Sequence, residues 1–179
     1  MYFSRVVCII ATIFASSFSR ANESLEPVVR MFMNGMERHE FAMVSNAALR
    51  CSSLSMLISA VLRRDTNYSE TAKRLEDQSN DYSIVGQYTV AALRKHRGVD
   101  VNVDEIQERV SQQMSQFAEI YVKRMNSNQL STGDMWSSDE LIKGDLESCK
   151  NLRILSSEEW GKTLESNNWD YWDEAFKGE

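Results

Sequence analysis

The chain has 179 residues, 26% of them charged and 42% hydrophobic, with a formal net charge of −6. That sign is wrong for neutralising phosphates, which argues against a nucleic-acid partner or an anionic membrane surface. One proline and seven glycines are too little punctuation for an all-β domain, and every long segment instead repeats its apolar residues at the helical steps of three and four.

The N-terminus reads as an export signal over residues 1–21. Met1 to Arg5 is short and basic, Val6 to Phe18 is an apolar run, and Ser19-Arg20-Ala21 offers the small residues a signal peptidase inspects. The competing reading, an uncleaved anchor, is disfavoured because spanning a bilayer takes about 20 apolar residues. Cleavage leaves 158 residues with a net charge of −8, enough for one domain with its own core. No later segment reads as a membrane helix, so a soluble periplasmic or secreted protein is expected. Two cysteines remain, Cys51 and Cys149. An even pair in an oxidising compartment reads as a disulfide; the alternative is two buried thiols that never meet.

A first helix is expected from about Leu25 with Pro27 in its opening turn. Asn34-Gly35 is its expected stop, with a bend there and a second helix from Glu37 to Arg64. Within that helix Ala47 to Leu62 is apolar at eleven of sixteen positions, the rest being four serines and Arg50. A helix apolar most of the way round belongs in a core. Ala48, Ser52, Ser55 and Ser59 form a ridge of small side chains along which a neighbour can approach closely.

Asn67 and Glu70 have the spacing of a capping box. The following helix carries a heptad seam of Tyr68, Ala72, Leu75, Ser79, Tyr82, Gly86, Thr89, Leu93 and His96. Asn102 and Glu105 repeat the cap before a helix ending near Asn126, with a loop over 126–137. Ser137 and Glu140 open the next helix, whose inner face includes Ile142, Leu146, Cys149 and Leu152. A last short helix is expected around Trp160 and Leu164. The expected fold is an all-α, up-down bundle of four to five helices with one disulfide over residues 22–155, followed by an acidic, tryptophan-rich segment over 156–179.

Chemistry is sparsely marked. The basic pairs Arg63-Arg64, Arg94-Lys95, Lys123-Arg124 and Lys150/Arg153 fall at predicted helix ends, where cations offset the dipole. Met33, Met36, His39 and Met43 have soft-ligand spacing suited to copper(I) or silver(I), although methionines also simply fill cores. Tyr68, Tyr82, His96 and Asp145, with Ser79 and Thr89, would line a polar cavity if they converge; otherwise they wet their tips at the edge of the seam. Trp160, Trp169, Tyr171, Trp172 and Phe176 lie among acids, as in a partner-binding segment, or fold back to cap one end of the bundle. No catalytic or phosphate-binding motif is present. The expectation is therefore an exported, non-enzymatic binding or envelope-accessory protein with no cofactor. A copper(I) carrier and a hydrolase with a carboxylate pair are the alternatives.

Overall fold

The structure, a computed structural model, describes residues 27–38 and 40–152. The expected export signal, His39 and the segment from residue 153 on, with its expected short helix, lie outside the described residues. Among the described residues the chain forms five α-helices and no strand: α1 Val28–Arg38, α2 Phe41–Leu62, α3 Ser69–His96, α4 Val103–Thr132 and α5 Glu140–Leu152. A single 3-10 turn, Thr66–Tyr68, joins α2 to α3. The all-α bundle agrees with the expectation from periodicity.

Helix α2 is the centre, and every residue from Ala47 to Ser55 is buried. One sequence expectation is corrected here: by length and composition alone, Ala42–Leu62 does qualify as a membrane-crossing helix. In this fold most of that stretch is buried inside the bundle, so most of its apolar surface is covered by the chain's own helices.

The ridge of small residues on α2 sets the packing against α3. Ser45 Oγ donates to the Gly86 carbonyl at 3.4 Å, Ser52 Oγ to the Ser79 carbonyl at 2.7 Å, and Ser59 Oγ to the Ala72 carbonyl at 2.7 Å. The serines advance by sevens along α2 while their acceptors retreat by sevens along α3. That is an antiparallel heptad register, with Ala72, Ser79 and Gly86 supplying small side chains opposite each serine. A Cβ at Gly86 would run into Leu49, itself enclosed by Val90, Ala91, Ile106 and Val110. Gly86→Ala is therefore expected to cost about 1–3 kcal/mol through overpacking. The check is a lower urea midpoint at unchanged slope; an unchanged midpoint would show that Leu49 gives way freely.

Several boundaries differ from expectation. Gly35 does not end α1, which runs to Arg38, and α2 begins at Phe41. Gly35 serves the helix crossing instead, because a Cβ there would lie 2.7 Å from Val44 Cγ2 and 3.0 Å from the Val44 backbone nitrogen. Asn67 is not the cap of α3: Asp65, two residues earlier, accepts from the Asn67 N–H at 2.9 Å and caps the 3-10 turn. Asn102 does cap α4, accepting from the Glu105 N–H at 3.2 Å.

Helix α4 runs past Asn126 to Thr132 and stops at Gly133, in the left-handed region with φ 74°. Its apolar stripe ends at Met125, which is why the sequence suggested a loop from there. The last turns are held by polar bonds instead: Asn128 Nδ2 donates to the Met135 carbonyl at 3.1 Å and to Asp139 Oδ2 at 3.2 Å. Lys123 and Arg124 consequently sit inside α4, not at its end. Asp139, and not Ser137, caps α5, its Oδ1 accepting from the Leu141 and Ile142 N–H groups at 3.0 Å each.

The core has three parts. Val28, Phe32, Val44, Ala47, Tyr82, Val85 and Leu152 cluster around the disulfide. Leu49, Val90, Ile106 and Val110 meet at the end where α3 gives way to α4. Leu54, Ile58, Tyr121, Met125 and Ile142 fill the opposite end. Helix α5 begins in the last of these clusters with Ile142 and ends in the first with Leu152, so it travels back toward the α3–α4 connection.

Candidate functional site

The buried stripe of α5 is Ile142, Asp145, Ser148, Cys149 and Leu152, which puts a carboxylate where an aliphatic side chain would be ordinary. Asp145 forms an ion pair with Arg50 of α2. It accepts a hydrogen bond from the Tyr121 hydroxyl of α4 at 2.6 Å and from the Val28 N–H at the start of α1 at 3.4 Å. Arg50 Nε donates to the Tyr121 oxygen at 3.4 Å. One carboxylate thus ties α1, α2, α4 and α5 together, and Arg50, Tyr121 and Asp145 are all fully buried.

Each member depends on the others. Burial opposes the charge on Arg50, but Tyr121 and Asp145 outweigh it and hold the guanidinium above its ordinary pKa. Burial first, and the Asp145 charge second, push the Tyr121 hydroxyl above its ordinary range. A charged group this deep is tolerated only when paired and hydrogen-bonded. With at most 1% of any of the three exposed, the arrangement is a buried clamp between four helices. Sequence reading missed Arg50 and Tyr121 as partners of Asp145. The usable signal was a lone arginine in the most apolar helix and a lone aspartate on the inner face of another.

The remaining candidate residues are dispersed. Tyr68 is 51% exposed. Tyr82 is buried with its hydroxyl donating to the Cys149 carbonyl. Thr89 Oγ1 bonds to the Val85 carbonyl at 2.9 Å, and Ser52 and Ser79 hydroxyls meet at 3.0 Å. The Tyr82, Thr89, Ser52 and Ser79 hydroxyls are satisfied by the protein's own atoms, and neither of the two cavities described below is lined by Tyr68, Tyr82 or Asp145. His96 closes α3, and its side chain lies outside the described residues. Met33 is 51% exposed, whereas Met36 is 9% exposed within the core; Met43, in α2, is half-buried. Among the described residues no three His, Cys, Asp or Glu side chains are grouped to hold a metal. Cys51 and Cys149 are joined, with Cα atoms 5.5 Å apart across 98 residues of sequence. Trp160, Trp169, Tyr171, Trp172 and Phe176 lie outside the described residues.

Two surface cavities stand apart from the clamp. The first is a groove of about 340 Å³ over α2, between α3 and α4. Ser53, Met56 and Leu57 make its floor, Ser83 and Gln87 one wall, and Gln107, Val110, Ser111, Met114, Ser115 and Ala118 the other. It exists because Ser53 holds α4 close at one point, its Oγ lying 2.9 Å from the Met114 carbonyl, while Met56 beside it stays 47% exposed. No lining residue is ionisable, although a quarter of the chain is charged. The sequence reading missed this groove, because its members come from three helices and none is unusual alone.

The second, of about 300 Å³, lies at the α3–α4 connection and is lined by Val90, Leu93, Arg94, Arg97, Val99, Glu105 and Arg109. Arg94 pairs with Glu105 across the two helices at 2.5 Å. Neither cavity is lined by two carboxylates. No protein-family model, curated protein or solved structure matches this chain.

Proposed function

We propose that this chain is an exported, non-enzymatic binding protein whose groove between α2, α3 and α4 takes a small, uncharged, amphipathic molecule. The observation that carries the reading is the lining of that groove. Met56, Leu57, Val110 and Met114 offer apolar and adaptable contact, while the Ser83, Ser111 and Ser115 hydroxyls and two glutamine carboxamides offer neutral hydrogen bonds along its walls. The volume of about 340 Å³ lies at the small end of ligand pockets, roughly 300–1,000 Å³. A serine nucleophile needs an adjacent base, and the groove supplies no side chain able to move a proton at neutral pH. Export is supported by the signal-like start of the sequence and by the disulfide, which persists in oxidising compartments.

Nile red, a neutral dye whose emission shifts on entering an apolar site, provides the test. Saturable binding at one dye per chain is expected, abolished by Ser115→Trp, which fills the groove, and weakened by Met56→Lys. Emission that stays at its aqueous wavelength with the wild-type protein, or binding indifferent to both substitutions, would refute the assignment.

A further inference from the structure

We propose that the pocket at the α3–α4 connection is a second binding site, which takes a small organic anion: a carboxylate held by Arg97 and Arg109, and an apolar body lying against Val90, Leu93 and Val99.

The lining divides sharply by chemistry. Its apolar part is Val90, Leu93 and Val99, of which Leu93 is half-buried and Val99 is 47% exposed, so the chain's own packing leaves this surface partly uncovered. Its charged part sets three arginines against the single acid Glu105. That is an excess of two positive charges in a chain whose formal net charge is −6. Asp100, Asp104 and Glu108 are close in sequence but do not line the pocket.

Two of the three arginines are uncommitted, and the structure shows why. Arg109 follows Glu105 by four residues on α4, the spacing of an ordinary helical ion pair, but Glu105 pairs with Arg94 of α3 instead. Arg97 sits at the end of α3, where a cation ordinarily serves the exposed carbonyls. Here the backbone serves them: the Arg97, Gly98 and Val99 N–H groups donate to the Leu93, Lys95 and Arg94 carbonyls at 3.2, 2.9 and 2.9 Å. Gly98 makes this closure possible by adopting φ 67°. Among the described residues neither the Arg97 nor the Arg109 guanidinium has an ion pair or a hydrogen bond, and both residues are exposed.

These features select the ligand class. A guanidinium offers paired N–H donors that match the two oxygens of a carboxylate. Every lining side chain is aliphatic or charged, with no serine, threonine, asparagine or glutamine among them. The pocket therefore matches a molecule that is itself divided into an apolar and an anionic part. The volume of about 300 Å³ accommodates a body of two fused rings with its acid group. The groove over α2, with no ionisable lining residue, suits the opposite kind of molecule.

The probe is 1-anilinonaphthalene-8-sulfonate, a dye whose sulfonate stands in for the carboxylate and whose emission rises in an apolar site. Saturable binding at one dye per chain is expected. Arg97→Gln with Arg109→Gln, both at exposed positions, should weaken binding about tenfold or more at unchanged helicity, as loss of charge-assisted hydrogen bonds does. The same variant should leave Nile red binding as it is, and Ser115→Trp should leave the anionic dye bound, so this site and the groove fail or stand separately. Naphthalene-2-carboxylate should displace the dye, whereas its neutral counterpart 2-naphthalenemethanol should not. Salt at about 1 M, where the Debye length is ~3 Å, should weaken binding to the wild-type protein and needs no substitution. No saturable binding to the wild-type protein, or binding unchanged by both the arginine variant and salt, would overturn the proposal. Loss of the dye with Ser115→Trp, or equal displacement by the neutral alcohol, would overturn it as well.

Discussion

Replacing Asp145 by alanine is expected to destabilise the protein by about 3–5 kcal/mol, because the substitution leaves Arg50 charged, enclosed and without its carboxylate. Against a total stability of roughly 5–15 kcal/mol for a domain, that loss leaves a marginal or unfolded chain. Chemical denaturation read by circular dichroism measures it. The companion experiment separates the cost of breaking the pair from the worth of having it: Arg50→Met with Asp145→Leu removes both charges and is expected to recover most of the loss. If the single substitution costs under about 1 kcal/mol, the range of an exposed pair, the clamp is not buried as described.

Tyr121 adds a pH signature to the same clamp. Its hydroxyl donates to Asp145, and burial raises its pKa above the ordinary 10.0. The native protein keeps a proton that the unfolded chain gives up, so the native state is favoured less as pH climbs past about 10. The stability advantage of wild type over Tyr121→Phe should accordingly shrink between about pH 9 and pH 11. An advantage that grows over that range would have the wrong sign for a buried, neutral tyrosine.

Opening the disulfide is the second large effect. Cys51 and Cys149 close a loop of 98 residues, for which the chain-entropy model assigns about 4–5 kcal/mol before strain. Cys149→Ser should lose that amount, and reduced wild-type protein should unfold at the same denaturant concentration as the variant. Both sulfurs are buried, so reduction of the native protein is expected to follow its opening and to accelerate in mild denaturant. Free thiols in native, unreduced protein, seen as a two-dalton mass difference, would remove the link between α2 and α5 from this account.

Much of the architecture follows from local properties of the chain. The all-round apolarity of Ala47–Leu62 called for a central helix, because most of its circumference has to be covered, although the face of Met56 stays open to the groove. The small ridge at Ser52 and Ser59 and the heptad seam at Ala72, Ser79 and Gly86 were both legible, since each is a spacing on one helix. Their meeting in one antiparallel register needed both helices in place. Helix ends were read less well where a polar side chain acts from an unexpected position, as Asp65, Asp139 and Asn128 do.

What the amino-acid order determined alone is the helical class, the identity of the central helix and the pair of cysteines available to join. What only the tertiary structure decided is which distant groups share space: Arg50 with Asp145 and Tyr121, Gly35 against Val44, and eleven uncharged residues around one groove. Periodicity and hydrophobicity are properties of consecutive residues and survive without a fold. Contacts between α2, α4 and α5 depend on how far each helix is rotated and slid against the others, and packing sets those quantities only once all of the helices are present.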